Sequence, residues 1–478
     1  MLFNSLVFIL YLPLVFVGYW FVFRKLRVQN MFMVFASYVF YGWWDWRFLL
    51  LLALTTLCSY VSGIAMADAG TCRQRKVFLW SNVVLNLGIL ALFKYYDFFT
   101  ANLQALLAPV GVHLDFVTVN LVLPVGISFY TFQALGYSID VYRRTVVPTR
   151  DAAAFFAFIS FFPQLVAGPI ERAANLLPQF QRKRRFDYAE AVDGCRRILW
   201  GAFKKMVVAD NCAVIVEQVF GGWQSMGGFN LWIGAIAFAL QIYGDFSGYS
   251  DIAIGVARLF GIDLMRNFNV PYFSRDLAEF WRRWHISLTM WFRDYVYIPL
   301  GGSRCGRVKV LRNTLMVFLI SGLWHGGKWT FVAWGGYHAL LFMPLILLGR
   351  NRKYTSVVAE ERKLPTLHDV WLMGVTFLLV VIGWVIFRAD TLSDAWGYIY
   401  RMFTCFQFTE LHRWKKLIPF VLMLFTVEWV ERRRLHPFAI AGNGLLRYAA
   451  VRYLMHVGLA MVVLLCRGPQ GEFIYFQF

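Results

Sequence analysis

The chain has 478 residues, 59% of them hydrophobic and 15% charged, with a mean hydropathy of +0.55 and 47 Lys and Arg against 27 Asp and Glu. A soluble domain carries roughly a quarter charged residues, so a water-soluble fold is excluded as the class and a multi-spanning membrane protein expected. The net charge of +20 does not point to nucleic acid, because the basic residues sit in short clusters between apolar runs (24–27, 73–76, 182–185, 304–312, 350–353, 432–434), as the positive-inside rule requires of cytoplasmic loops.

The first apolar segment, Leu2 to Phe23, is long enough to span a bilayer and no small-residue cleavage site follows it. The basic cluster at 24–27 then places its far end in the cytoplasm and the N-terminus outside. Further candidate spans lie near 31–44, 48–67, 78–93, 119–139, 152–168, 198–220, 229–244, 280–300, 314–346, 371–388, 417–431 and 448–466, and the 314–346 stretch has room for two shorter helices. Ten to twelve tilted crossings are expected in an all-α polytopic fold, with several half-length pieces, forming one membrane domain over 1–478 and a motif-bearing core near 120–345. Gly- and Pro-broken segments such as Leu123 to Ile127 and Phe161 to Pro169 fit poorly as lipid-facing spans. Irregular backbone at membrane depth is tolerated only where it is buried in protein or lines a wet cavity, so an internal cavity is expected in the middle of the chain.

Three polar islands interrupt the apolar background. In Gln241 to Asp251, Asp245 and Tyr249 are four apart, as are Ser247 and Asp251, so each pair shares a face if the segment is helical. Carboxylates beside a span point to function, but the same Asp, Ser and Gly pattern also fits a helix cap. In Asp276 to Tyr295, a continuous helix would put Trp281, Trp284, His285, Leu288 and Phe292 on one stripe, with Arg282 and Arg283 off it and free to reach headgroups or an anionic donor. A core-packing His285 fits that stripe as well as a reactive one. In Ser321 to Trp329, His325 is flanked by Trp324 and two glycines, and His338 follows thirteen residues later. An imidazole can accept a proton near neutral pH, although a helix-packing role fits His325 too.

The seven cysteines (58, 72, 195, 212, 305, 405, 466) show no spacing typical of zinc, and no metal site is expected; Cys305, in a basic loop beside a span, is a candidate for acylation. Nucleophile-elbow, HExxH, P-loop and dinucleotide motifs are all missing from the sequence. Chemistry on a buried base without its own nucleophile suits acyl transfer from an activated thioester to a hydroxyl, where proximity and a base are the main requirements.

The segments Pro124 to Gln133, Phe162 to Ile170, Asp245 to Asp251, Glu279 to Leu288 and Gly322 to Gly326 together resemble the membrane-bound O-acyltransferase family. They are most similar to its bacterial branch, that of the alginate O-acetyltransferase membrane subunit, to which the D-alanyl transfer protein of teichoic acid modification is related. The ending Phe473 to Phe478 is similar to endings in that branch. The resemblance implies a ring of tilted helices around a central tunnel and places the family's near-invariant histidine at His325 and its second polar residue at His285. It further implies an acyl group, acetyl foremost, taken from a cytoplasmic thioester such as acetyl-CoA with no bound cofactor. The group would cross the bacterial inner membrane to an extracytoplasmic SGNH-type partner that acylates a polysaccharide. Asp245, Ser247, Tyr249, Asp251, Arg282, Arg283, Trp284, Trp324 and His338 are expected to shape the site or bind the donor. D-alanyl transfer from a carrier protein is the alternative within the enzyme class. A transporter or flippase is the rival outside it, although no internal symmetry is visible, and a recruiting scaffold is a third.

Overall fold

The computed structural model describes residues 1–110, 121–408, 414–434, 448–471 and 473–474. The start of the expected 119–139 span and the last four residues of the family-like ending lie outside the described residues. Among the described residues the regular structure is helical throughout, and the chain forms two compact units. One comprises residues 1–187 with 260–264 and 326–328; the other comprises 188–259, 265–325 and 329–478.

The first unit contains α1 (Leu6–Val17), α2 (Leu26–Gly42), α3 (Phe48–Asp68), α4 (Cys72–Leu107), α5 (Ile127–Tyr142), α6 (Ala152–Ser160), α7 (Phe162–Leu165) and α8 (Ala173–Gln181). Two of them, α3 with 21 residues and α4 with 36, are long and apolar enough to cross a membrane. They leave Leu50, Leu54, Val61, Val84 and Leu92 exposed, as lipid-facing helices do. The core is α5, buried along almost its whole length. Gly126 starts it at a φ of +76°, where a Cβ would lie 2.6 Å from the Leu165 carbonyl oxygen, so the turn after Pro124 requires glycine. Polar groups inside this core satisfy one another: Gln164 donates to the Gln133 side chain at 2.5 Å, and Gln133 donates to the Phe158 carbonyl at 2.8 Å. The two Gly- and Pro-broken motifs therefore pack on each other.

The second unit contains α9 (Tyr188–Ala202), which continues through a π-helical turn, Phe203–Ala209, into α10 (Asp210–Gly221), followed by α11 (Gly228–Leu259), α12 (Leu277–Arg283) and α13 (Ile286–Phe292). Next come α14 (Arg307–His325), α15 (Trp329–Leu347), α16 (Leu367–Arg388), α17 (Leu392–Thr404), α18 (Trp414–Glu431) and α19 (Ala449–Leu465). In this unit α15 and α16 satisfy the length and apolarity of a span, with mean hydropathies of 1.5 and 2.5. The 314–346 run is two helices, as its length allowed.

Small residues set the helix spacing here, as they do wherever apolar helices pack without help from water. A Cβ on Gly201 would come within 2.6 Å of the Gly248 carbonyl oxygen, and one on Gly194 within 2.6 Å of that of Gly255. These two glycine pairs draw α9 against α11. Gly322 and Gly335 do the same for α14 and α15, each facing a backbone carbonyl, Phe331 and Phe318 respectively.

Candidate functional site

The 241–251 island is the buried interior of α11, not a cap. Because the glycines bring α9 so close, short carboxylates on α11 reach cations on α9 and its π turn. Asp251 accepts from Arg197 at 2.9 Å and pairs with Lys204 at 2.5 Å. Asp245 pairs with Lys205 at 2.8 Å, and Lys205 also meets Asp210 at 2.9 Å. Three carboxylates thus match three cations, which is the condition for burying charge in such surroundings. The other oxygen of Asp245 accepts the backbone N–H of Ile474 at 2.7 Å, and Phe473 packs on Tyr249 with ring centroids 4.9 Å apart. Asp245 and Tyr249 therefore face the buried chain segment 473–474. Ser247 and Asp251, on the other face, line a polar cavity of about 20 Å³ that Arg197, Lys204, Tyr243, Arg266, Asn267 and Glu428 close. Tyr243 donates to Glu428 there at 2.6 Å.

The stripe expected across Trp281 to Phe292 does not run on one continuous helix. The helix stops at Arg283, and His285 adopts a φ of +43°, the left-handed region, before α13 begins. Asp276 starts α12 by accepting the Glu279 N–H at 2.7 Å. Arg282 and Arg283 turn away to the loop that follows α15. Arg282 donates to the carbonyls of Asn351 and Tyr354, and Arg283 donates to Glu279 at 2.8 Å and to the Ser356 carbonyl at 2.7 Å. Neither arginine lines either cavity described here. Their signal in the sequence, two guanidinium groups beside an apolar face, marks a pinned loop as readily as an anion site.

The break nevertheless brings the stripe residues together. Trp281, Trp284, His285, Leu288 and Phe292 line one cavity of about 70 Å³, and His325, Ser321 and Phe318 close its other wall. His325 is the last residue of α14 and is buried. Trp324 stands edge-on between the two imidazoles, with ring centroids 5.9 Å from His285 and 4.9 Å from His325. Trp334 and Phe387 meet His325 edge-on at 5.2 and 5.1 Å. His338 lies one layer out, fully buried against Trp281 at 5.0 Å and Trp334 at 5.1 Å, and it does not line the cavity. The cavity has room for roughly five water-sized groups, which suits a short acyl chain. Both imidazoles are buried.

Several polar partners of this site carried no signal in the sequence. Asn267, in the loop after α11, receives His285 and Ser287. Lys204 and Lys205 sit in the 198–220 stretch that reads as an apolar span, with Arg197 just ahead of it, and the adjacent lysines are the one available hint. Among the described residues no group of three or more His, Cys, Asp or Glu converges as a metal site would.

Comparison with known proteins relates the chain to one family. The family described as MBOAT, membrane-bound O-acyltransferase, matches residues 145–383, a range that contains both imidazoles of the cavity. The chain is 42% identical over 417 residues to a probable alginate O-acetylase of Pseudomonas aeruginosa, covering 86% of this chain and 77% of that one. It is 34% identical over 426 residues to a peptidoglycan O-acetyltransferase of Helicobacter pylori, covering 83% and 78%. It is 30% identical over 299 residues to a teichoic acid D-alanyltransferase of Streptococcus thermophilus, covering 57% and 69%. The chain is a multi-pass membrane acyltransferase and belongs to the membrane-bound O-acyltransferase family.

Proposed function

We propose that this protein takes an acetyl group from a cytoplasmic thioester, acetyl-CoA, and passes it across the bacterial inner membrane for O-acetylation of a polysaccharide, with an SGNH-type extracytoplasmic protein as the intermediate acceptor. The observation that carries the proposal is the narrow aromatic cavity with His285 and His325 on its walls. An activated donor needs a base and a fixed geometry more than it needs a nucleophile on the enzyme. His325 is the general base in this reading, and His285 positions the acceptor or relays its proton. The acceptor hydroxyl oxygen bonds to the thioester carbonyl carbon while its proton passes to imidazole. The C–S bond then breaks, and the leaving thiolate takes that proton.

Acetyl is favoured over D-alanyl because the relatives named as O-acetylase and O-acetyltransferase match at 42% and 34% identity over more than four fifths of the chain, whereas the D-alanyltransferase matches at 30% over 57%. Asp245, Tyr249 and Asp251 serve by their ion pairs and packing, holding α9 and the 473–474 segment beside the site. An N-terminus on the outer face is supported by the basic cluster at 24–27.

The test is acyl turnover by the purified protein in lipid nanodiscs, supplied with acetyl-CoA labelled in the acetyl group and with the partner. Labelled acetyl on the partner and free CoA are expected. Movement of a solute in proteoliposomes without thioester consumption would favour a transporter and overturn the proposal.

A further inference from the structure

The loop that follows α11 and the break between α12 and α13 form a clamp around His285. Asn269 N–H donates to the Arg283 carbonyl at 2.9 Å, and Ile286 N–H donates to the Asn267 carbonyl at 2.9 Å. Inside this clamp two residues other than glycine hold positive φ, Val270 at +42° and His285 at +43°. Such conformations are strained and persist where the surroundings enforce them, commonly at working sites. The side chain of Asn267 lies at the centre. Its Oδ1 is 3.3 Å from the Ser287 backbone N, 2.9 Å from Ser287 Oγ and 3.1 Å from His285 Nδ1. Its Nδ2 donates to Ser250 Oγ at 3.3 Å.

We infer that Asn267 is a positioning residue that holds His285 as the Nδ1–H tautomer and so makes Nε2 the one nitrogen of that ring able to take or deliver a proton. The inference rests on the reading that His285 takes part in acyl transfer. A backbone N–H can only donate, so the amide atom facing Ser287 N must be the oxygen. That fixes the orientation of the Asn267 amide without reference to His285. His285 Nδ1, 3.1 Å from the same oxygen, must then carry the hydrogen, since two lone pairs at that distance repel. Ser287 Oγ offers no alternative: it is 3.5 Å from Nδ1, and its hydrogen is committed to Asn267 at 2.9 Å. Asn267, His285 and Ser287 are all buried, so water does not compete for these bonds.

The choice of an amide has a consequence that a carboxylate would not. A carboxylate holding imidazole in this way also stabilises the imidazolium, as in the Ser-His-Asp triad. Asn267 is neutral and takes up no proton near neutral pH, so the hydrogen on Nδ1 stays in place. It fixes ring and tautomer while adding no further charge to an interior that already holds three carboxylates matched to three cations.

The test combines a spectroscopic signature with rescue. Protein labelled with 15N-histidine in lipid nanodiscs gives ring-nitrogen signals for the eight histidines, and His285→Asn identifies those of His285. A protonated Nδ1 and an unprotonated Nε2 are expected for that ring. Asn267→Leu, which keeps the volume and removes the acceptor, should lose that signature and reduce acetyl transfer about 100-fold, as a misplaced reacting group does. Asn267→Asp retains an acceptor toward Nδ1 and should recover most of the rate. A wild-type ring protonated at Nε2 overturns the inference, as does full activity of a folded Asn267→Leu. Equal loss in Asn267→Leu and Asn267→Asp with the Nδ1–H signal intact would reduce Asn267 to a packing role and also overturn it. Wild-type transfer by His285→Asn would instead remove His285 from the reaction, and the nitrogen signals would still decide the tautomer.

Discussion

Replacing Asp251 by Asn is the most direct probe of how this membrane interior holds charge. The side chains of Asp251, Arg197 and Lys204 keep 12%, 7% and 4% of their surface exposed, and the carboxylate bonds both cations. Removing its charge leaves two buried cations without an anion between them. Breaking a buried pair in this way costs about 3–5 kcal/mol, and the new amide oxygen recovers part of that through one hydrogen bond, so a loss near the lower end of that range is expected. Lys204→Met added to Asp251→Asn removes one of the two stranded cations, and the double variant should be more stable than the sum of the single losses predicts, by about 0.5–3 kcal/mol. The assay is denaturant unfolding in lipid–detergent micelles followed by tryptophan emission, for which the chain carries 19 Trp. A loss below about 0.5 kcal/mol for Asp251→Asn, the size of an ordinary surface change, would show that Asp251 does not hold the two cations, as would strict additivity in the double variant.

Three further outcomes follow from the same structure. Gly201→Ala places a Cβ 2.6 Å from the Gly248 carbonyl oxygen and should lower stability by about 1–3 kcal/mol, whereas Gly374→Ala meets nothing within 4 Å and should raise it by up to about 1 kcal/mol; thermal midpoints of the two purified variants decide this. Phe473→Ala empties a buried ring site beside Tyr249 and Phe246 and should cost about 3–5 kcal/mol in the same unfolding assay. His285→Ala should be about 1 kcal/mol less stable than His285→Asn, because asparagine tolerates the left-handed conformation, while both lose acyl transfer to the same extent.

The class of fold was legible because apolar composition and charge clusters between runs are local properties of the chain. Two helices in the 314–346 run were legible for the same reason, since Gly326 and Gly327 interrupt it after His325. The role of α11 was not, because the partners of Asp251 lie 54 and 47 residues earlier, on a helix brought near by glycines whose pairing is invisible in one sequence. Periodicity also overran the break at His285. A histidine in the left-handed region leaves no compositional mark, and the Asn267 clamp that enforces it is a tertiary contact. The aromatic company of His285 and His325 marks both in the sequence, and the structure places them on facing walls of one cavity. The charge of Arg282 and Arg283 marks them in the sequence as well, and both donate to carbonyls of the loop after α15.

The rate of acetyl transfer by His325→Ala, measured with labelled acetyl-CoA and partner in nanodiscs beside a melting curve that shows the variant folded, is the most direct test of His325 as the general base. Loss of a general base costs about two to four orders of magnitude, and a fall of that size is expected. Transfer by folded His325→Ala at the wild-type rate would contradict the assignment of the cavity as the site of acyl transfer.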